Sequence, residues 1–448
     1  MNTSAESPSL PKPELKRVLS GVFGIAAVLG TMIGLGILRT PGEIATIVND
    51  PWLFTALWLL GGIFVLMSVG VAAELVGMTP RSGGVYVLVR RAFGRYPGFV
   101  IGWVDWLSFT ATIALKAAVV VEYISLLVPF EDVYRPAVAI LVTSVFALVQ
   151  LRGVLLSARV QEVAAACMAM IVIGFTLALL LGNGAPEMAL QEPLDSSLAG
   201  WGLVAAAIIF TYDGWLYACY FGGEIKGGGG EVARSCVRGV VAVFILYIGL
   251  MAALAFSVPL SNLVGEDLAL ATALELAVSP AAATTVVVAA ILILLAHQNV
   301  SYLAGSRVLY ALSADHLGID SAARVGKRGN PVIAVLITWF VSVGLILVGG
   351  FEFLLTLNVF LFIVLYVVLI AGVALLRRKR PDADRPFRAW GHPLTTVVCL
   401  VGWMAMSLFQ AYTAPETAGY ALIMIAVSLP VYLWLKRVRH LDNRDSIE

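Results

Sequence analysis

Lys116 stands about halfway along "WLSFTATIALKAAVVVEYI", a stretch otherwise suited to hydrocarbon. A lysine at the centre of a membrane helix costs about 2.5–3.5 kcal/mol to insert, so its ammonium must meet protein or water. Asp213 interrupts a second such stretch, "WGLVAAAIIFTYDGWLYACYFGGEI", beside Gly214. His297, Gln298 and Asn299 follow one another in "LLAHQNVSYLAG", and three successive polar residues cannot all face lipid. A fourth stretch, "GTMIGLGILRTPG", carries four glycines and a proline in thirteen residues. The residue types at these places could hold a charged solute, move a proton or pair with one another.

The elements that must position them are membrane helices. Of 448 residues, 60% are hydrophobic and 13% charged, with a mean hydropathy of +0.94. A soluble domain carries about 25% charged residues. The apolar residues cluster in runs of about 18 or more, the length that spans ~30 Å of hydrocarbon as a helix. Twelve spans are predicted, starting near Val18, Trp52, Gly98, Val133, Ser157, Gly200, Arg234, Ala281, Pro331, Glu352, Pro393 and Thr417. Basic residues recur in alternate loops: Lys12, Lys16 and Arg17; Arg81, Arg90, Arg91 and Arg95; Arg152 and Arg159; Lys226, Arg234 and Arg238; Arg324, Lys327 and Arg328; and "RRKRPDADRPFR". The intervening loops hold Glu131, Asp132, Glu187, Glu192, Asp195, Glu266, Asp267 and Glu416, with Arg135 as their basic residue. The positive-inside rule then puts both termini in the cytosol, which an even number of spans satisfies. The polar, Pro-rich opening "MNTSAESPSLPKPELKRVLS" reads as a cytosolic tail and not as a cleaved signal. Cys167, Cys219, Cys236 and Cys399 form no CxxC pair, so neither a disulfide framework nor a metal site is expected, and no cofactor.

Two of the spans are predicted to be broken, the first at Gly34-Leu35-Gly36 and the sixth at Thr211-Tyr212-Asp213-Gly214. Five spans separate the breaks, so they occupy matched places in two sets of five with opposite orientation. Such a correspondence points to a solute site at the junction. A mid-membrane break strands N–H groups at the start of one half-helix and C=O groups at the end of the other. Each costs several kcal/mol in hydrocarbon unless a cavity or ligand meets it. The N–H groups of Gly34, Leu35 and Gly36, at a half-helix N-terminus, suit a carboxylate. Carbonyls near Phe210 and Thr211 suit an ammonium, and Asp213 could cap the half-helix beyond Gly214. Together the breaks would grip both ends of an α-amino acid. The competing reading is packing, since Gly30-x-x-x-Gly34 is also a small-xxx-small motif.

Several motifs resemble those of the amino acid–polyamine–organocation superfamily, within it the L-amino acid transporter-like permeases. "GTMIGLGIL" resembles the first-helix signature, and "AELVGMTPRSGGVYVLVRRAFG" the second-to-third loop. "FTYDGW" with "GGEIK" resembles the sixth helix, "AGSRVLYALSADH" the end of the eighth, and "RPDADRPFRAWGHP" the loop before the eleventh. The resemblance implies an all-α polytopic protein of 12 transmembrane helices in the five-plus-five inverted-repeat, LeuT-like fold with helices 1 and 6 broken. It implies a tail over 1–17, a first repeat over 18–182, an outer loop over 183–198, a second repeat over 199–380, two further helices over 381–436 and a tail over 437–448. It also implies substrate contacts at Ile33, Gly34, Leu35, Gly36, Phe210 and Thr211, with Phe210 as a gate, and coupling by exchange or proton symport.

Three departures qualify what the resemblance implies. Leu35 replaces a small or hydroxylated residue, which dries the pocket. After Lys226 the chain reads "GGGGEVARS", expected to be a more flexible loop than in relatives. Met168 stands where many relatives carry a fifth-helix lysine, seven residues after the glutamine, here Gln161.

Lys116 then has three readings: a coupling charge replacing that lysine, a contact for an acidic group on the substrate, or a structural ion pair with Asp213 or Glu122. Glu122, six residues on, points to another face of the helix. His297 could titrate near neutral pH or serve as an ordinary hydrogen-bonding group. Ser301 and Ser306 form no adjacent hydroxyl pair, which disfavours sodium coupling. Arg307 is expected at an inner gate, paired with Asp315 or Glu74, and Glu43 solvated or paired with Arg39.

The expected function is transport of neutral L-amino acids across the cell membrane, sodium-independent, with acidic amino acids, polyamines or a non-transporting solute sensor as alternatives. No HExxH, GxSxG, P-loop or paired interfacial carboxylates suggest an enzyme. The expected partners are an amino acid and the lipid membrane, with no nucleic acid. "VPFEDVYRP" has no cysteine, so no disulfide-linked heavy chain is expected, and the chain is read as a monomer or weak dimer.

Overall fold

In the computed structural model, residues 15–184, 197–349 and 351–439 are described, with backbone alone for 351–359. Lys12, Glu187, Glu192 and Asp195 lie outside the described residues, as do most of the two expected tails. The long regular elements of these segments are helices: α1 Gly21–Met32, α2 Gly36–Ala45, α3 Pro51–Met78, α4 Val85–Phe93, α5 Arg95–Leu127, α6 Arg135–Arg152, α7 Val154–Leu181 and α8 Leu198–Thr211. There follow α9 Gly228–Ala255, α10 Ala269–Ala277, α11 Pro280–Ala314, α12 Val332–Val348, α13 Phe351–Lys379, α14 Leu394–Thr413 and α15 Pro415–Val438. Ten segments, α1 and α2 taken as one, are long and apolar enough to cross a membrane, and α8 and α12 are shorter apolar helices.

Local signals set the helix starts. Ser20 accepts from the Phe23 N–H at 3.1 Å and opens α1. Asp50 accepts from Leu53 N–H ahead of Pro51, whose missing N–H costs nothing at a first helical position. Ser197 does the same for α8, accepting from Gly200 N–H at 3.0 Å. The helices begin within three residues of the places read from the sequence, except α9, which starts at Gly228 instead of Arg234. The glycine run is therefore helix where a flexible loop was expected. Its physical reason is packing: Gly229 lies on the Gly77 carbonyl of α3, and a Cβ there would overlap that oxygen.

The first break falls at Ile33–Leu35, between α1 and α2. The second follows Thr211, and the chain beyond it runs through turns and a 3₁₀ turn, Tyr217–Tyr220, before α9. The two breaks are fastened to each other. Thr31 Oγ1 lies 3.2 Å from the Gly214 carbonyl, with its own helix's Ala27 and Val28 carbonyls nearer at 2.8 and 2.9 Å, and Thr40 and Thr211 share a hydrogen bond of 2.8 Å. Gly214 has φ +104°, a conformation that glycine adopts without strain. Behind the first break, Tyr247 of α9 donates to the Met32 carbonyl, which the interruption leaves without its helical partner. Behind the second, Trp215, Tyr366 and Trp403 stack with ring centres 4.5–6.3 Å apart.

Contacts between loops define two ends of the bundle. At the basic end Asp315 meets Arg90 and Arg81, Glu74 meets Arg377 and Arg385, and Arg439 meets Asp320. At the opposite end Arg39 meets Asp267 at 2.8 Å, so Glu43 is left exposed and is not its partner.

Candidate functional site

A cavity of about 740 Å³ opens between the two breaks. Its walls include Gly34, Leu35 and Gly36 from the first break, Phe210, Thr211 and Asp213 from the second, Lys116 from α5 and His297 from α11. Exposed Arg39, Glu43, Glu122 and Arg135 rim it towards the opposite end, and Tyr217 lines its inner part. Ile33 is fully buried in the core and is not among the lining residues. Arg307 also stands apart from the cavity, deeper towards the basic end.

The first break brings an uncapped helix start to the cavity. Leu35, the residue before α2, makes no capping bond with its side chain. The N–H groups of Leu35 and Gly36 have no backbone acceptor among the described residues. They carry the positive end of the α2 dipole, which suits negative charge. Gly36 packs on Thr211, where a Cβ would come within 2.9 Å of Oγ1. Gly34 faces His297, whose Cε1 would lie 3.0 Å from such a Cβ. At both positions a side chain would crowd the junction.

At the second break α8 ends in carbonyls. The Phe210 carbonyl accepts from the Asp213 N–H at 3.0 Å, and the Phe210 side chain is 43% exposed where it borders the cavity. Asp213 does not cap a half-helix, because the chain past Gly214 is not α-helical. Its carboxylate accepts instead from the Tyr366 hydroxyl of α13.

Lys116 has no carboxylate within 4 Å among the described residues. The structural ion pair with Asp213 or Glu122 is therefore not formed: Asp213 is held by Tyr366 and acts on the lysine only through space, while Glu122 is exposed at the rim. His297 is 5% exposed, and the Thr31 backbone is the hydrogen-bonding group that its ring meets. Its two neighbours are engaged, Gln298 donating to the Ile113 carbonyl at 2.8 Å and Asn299 to Gln161 Oε1 at 3.0 Å.

Towards the basic end, apart from the cavity lining, stands a buried ion pair. Arg307, fully buried, grips Glu224 with two hydrogen bonds of 3.0 Å, from Nε and Nη2. The expected partners are otherwise occupied. Asp315 accepts from the Tyr86 hydroxyl at 2.7 Å and pairs with Arg90, and Glu74 is held by Arg377, Arg385 and the Ala389 N–H. Burial first, then the Asp315 carboxylate, pushes the Tyr86 hydroxyl well above its ordinary range, so it stays a donor. Buried amides extend from Arg307 towards the first break. Arg307 donates to Asn330, Asn330 to the Gln150 carbonyl, Gln150 to Asn299, and Asn299 to Gln161, which lies against Gly30.

Sequence reasoning missed Glu224 and Asp105. Glu224 was visible only as part of "GGEIK". Asp105, in "GWVDWLSF", is 3% exposed and accepts from the Tyr220 hydroxyl at 3.0 Å. An acidic residue inside an apolar run was the available signal for it.

Comparison with known proteins fits this arrangement. The chain is 23% identical to the serine/threonine exchanger SteT of Bacillus subtilis, covering 94% of this chain and 98% of the relative. It is 25% identical to the large neutral amino acids transporter small subunit 2 of Mus musculus, over 93% and 81% of the two chains. Against the human cystine/glutamate transporter the identity is 25%, over 97% and 89%. All three are transporters and none is an enzyme. The family model described as amino acid permease matches residues 20–432, and the chain belongs to that family of membrane transporters, in the amino acid–polyamine–organocation superfamily.

Proposed function

We propose that this permease is a sodium-independent secondary active transporter that carries neutral L-amino acids across the cell membrane by alternating access, through exchange or proton symport. The observation that supports this reading most is the cavity at the junction of the two breaks, open past Arg39 and Glu43 and closed below by Arg307 and Glu224. An α-carboxylate would sit on the N–H groups of Leu35 and Gly36, and an α-ammonium on the carbonyl end of α8 and Asp213. Leu35 and Phe210 make the remaining wall apolar, and His297 brings an imidazole ring beside Gly34.

In this reading α1 to α15 make up twelve spans in two inverted sets of five plus two, with the basic end and both termini in the cytosol. The conformation is then outward-open, with Phe210 standing aside as a gate would before substrate closure. The chain works as a monomer or weak dimer without a disulfide-linked heavy chain.

A second reading, acidic substrates, is favoured by Lys116. An ammonium that lines the cavity with no carboxylate in contact is placed to receive an anionic side chain, and one relative is named for cystine and glutamate. Uptake of a labelled amino acid panel into proteoliposomes tests both readings. The vesicles are compared empty and preloaded, with and without an inward proton gradient. Uptake that needs preloading identifies exchange, gradient-driven uptake into empty vesicles identifies symport, and no uptake of any amino acid removes the proposal.

A further inference from the structure

Asp105 differs from every other buried acid at the basic end. Glu74 receives donors from Arg377, Arg385 and Ala389, and Glu224 receives two from Arg307. Asp105 has one hydrogen bond, from the Tyr220 hydroxyl to Oδ1, and its buried Oδ2 has no partner among the described residues. The ion pairs of this end all engage other carboxylates. A half-satisfied carboxylate in a membrane span is costly to keep, and such residues mark solute pathways.

Three aromatic side chains stand close to it. Phe109, Tyr217 and Tyr220 lie together beside it, with ring centres 5.2–5.7 Å apart. Aromatic faces attract ammonium groups within about 6 Å. The place is also on the path. Tyr217 lines the cavity above, and Tyr220 belongs to the closure below, its carbonyl accepting from the Gly83 N–H and its ring packed on Gly84. That loop also holds Ser82, which donates to Glu224. Asp105 and Lys116 are eleven residues apart on α5, about three turns, and so share one face of the helix.

We propose that Asp105, with Phe109, Tyr217 and Tyr220, forms a second site for the substrate's ammonium group, between the cavity and the Arg307–Glu224 pair. The site rests on the reading that amino acids pass through this cavity. It fills when the basic end opens: release of Glu224 and the Ser82–Gly84 loop withdraws Tyr220 from Asp105 and leaves the carboxylate facing the entering solute. Substrate arriving from the cytosol meets this site first, whereas substrate from outside meets the two breaks first.

The test is exchange in oriented proteoliposomes with labelled L-serine and L-leucine, measuring half-saturation separately from each side. Asp105→Asn is expected to raise the inner half-saturation tenfold or more and leave the outer value within about twofold, with Asp105→Glu retaining most of the inner affinity. Phe109→Leu, which disturbs no buried charge, is expected to raise the inner value roughly threefold. Equal loss of maximal rate with both half-saturations unchanged would make Asp105 a mere anchor for Tyr220 and overturn the proposal. Loss of proton-gradient dependence with an unchanged inner value would make it a proton site and overturn it equally. Absence of both wild-type exchange and gradient-driven uptake of any amino acid would instead remove the transport reading itself.

Discussion

Thr40 Oγ1 and Thr211 Oγ1 meet at 2.8 Å, joining the helix that leaves the first break to the end of the helix that enters the second. Thr211 spends its one hydroxyl proton on the Ala207 carbonyl at 2.9 Å, so Thr40 is the donor between them. Thr31 and the Gly214 carbonyl are in contact at 3.2 Å on the far side of the junction. The uncapped N–H groups and the carbonyl end are thereby held across one cavity, and neither break can shift without disturbing the other.

This donor assignment predicts unequal effects of isosteric substitutions. Thr40→Val removes only a donor, leaving Thr211 bonded to Ala207, and is expected to cost about 0.5–1.5 kcal/mol. Thr211→Val leaves the Thr40 hydroxyl, 3% exposed, without an acceptor and is expected to cost about 1–3 kcal/mol. The double variant should cost less than the sum of the two. Thermal melts of the four proteins in detergent check this. Equal single-variant losses that add in the double variant would contradict the assignment.

The fold was legible because a membrane leaves few alternatives. Long apolar runs must be helices, and ten such segments are present among the described residues. The breaks were legible because two interrupted spans stand five apart at matched places, one of them beside an aspartate. Partner choice was not. Glu224 reaches Arg307 from an irregular turn after the second break, and no periodicity forecasts where such a turn points. The glycine run after Lys226 carries the composition of a loop, yet it is the close approach of α9 to Gly77, a tertiary fact, that requires it. Asp105 lay in plain view, but its significance comes from what it lacks, and a sequence does not display missing partners.

Glu224→Gln is expected to weaken closure of the basic end. Removing one partner of a buried ion pair costs about 3–5 kcal/mol, and each 1.4 kcal/mol changes an equilibrium about tenfold. The outward-open population falls accordingly, and apparent affinity for external substrate falls with it. The external half-saturation should rise at least tenfold, and Arg307→Gln added to Glu224→Gln should recover part of the loss because no charge is left unpaired. An unchanged external value would show that this pair does not hold the gate.

Gly229→Ala should lower the melting temperature sharply, because the new methyl falls on the Gly77 carbonyl and α3 and α9 must separate. Overpacking of this kind costs about 1–3 kcal/mol. Gly249→Ala on the same helix is the control. The nearest atom to a Cβ there is 3.9 Å away, and alanine is about 1 kcal/mol better than glycine within a helix, so stability should hold or rise. Equal melting temperatures for the two variants would mean that the glycine run is not needed for packing.

Lys116→Met separates the roles open to this lysine. Removing an ammonium from mid-span relieves an insertion cost of about 2.5–3.5 kcal/mol, and with no carboxylate in contact little is lost in return. The melting temperature should therefore rise. If neutral amino acids are the substrates, uptake of labelled L-serine should stay within about threefold of wild type, because in the proposed site the two breaks would bind the backbone groups common to all amino acids. Any uptake of labelled L-glutamate should be abolished, since its side-chain carboxylate would lose its only cation in the inner cavity among the described residues. Loss of L-serine uptake without loss of stability would instead make Lys116 part of the transport cycle, and the effect of a proton gradient on the remaining activity would show whether it carries the coupling charge that Met168 cannot.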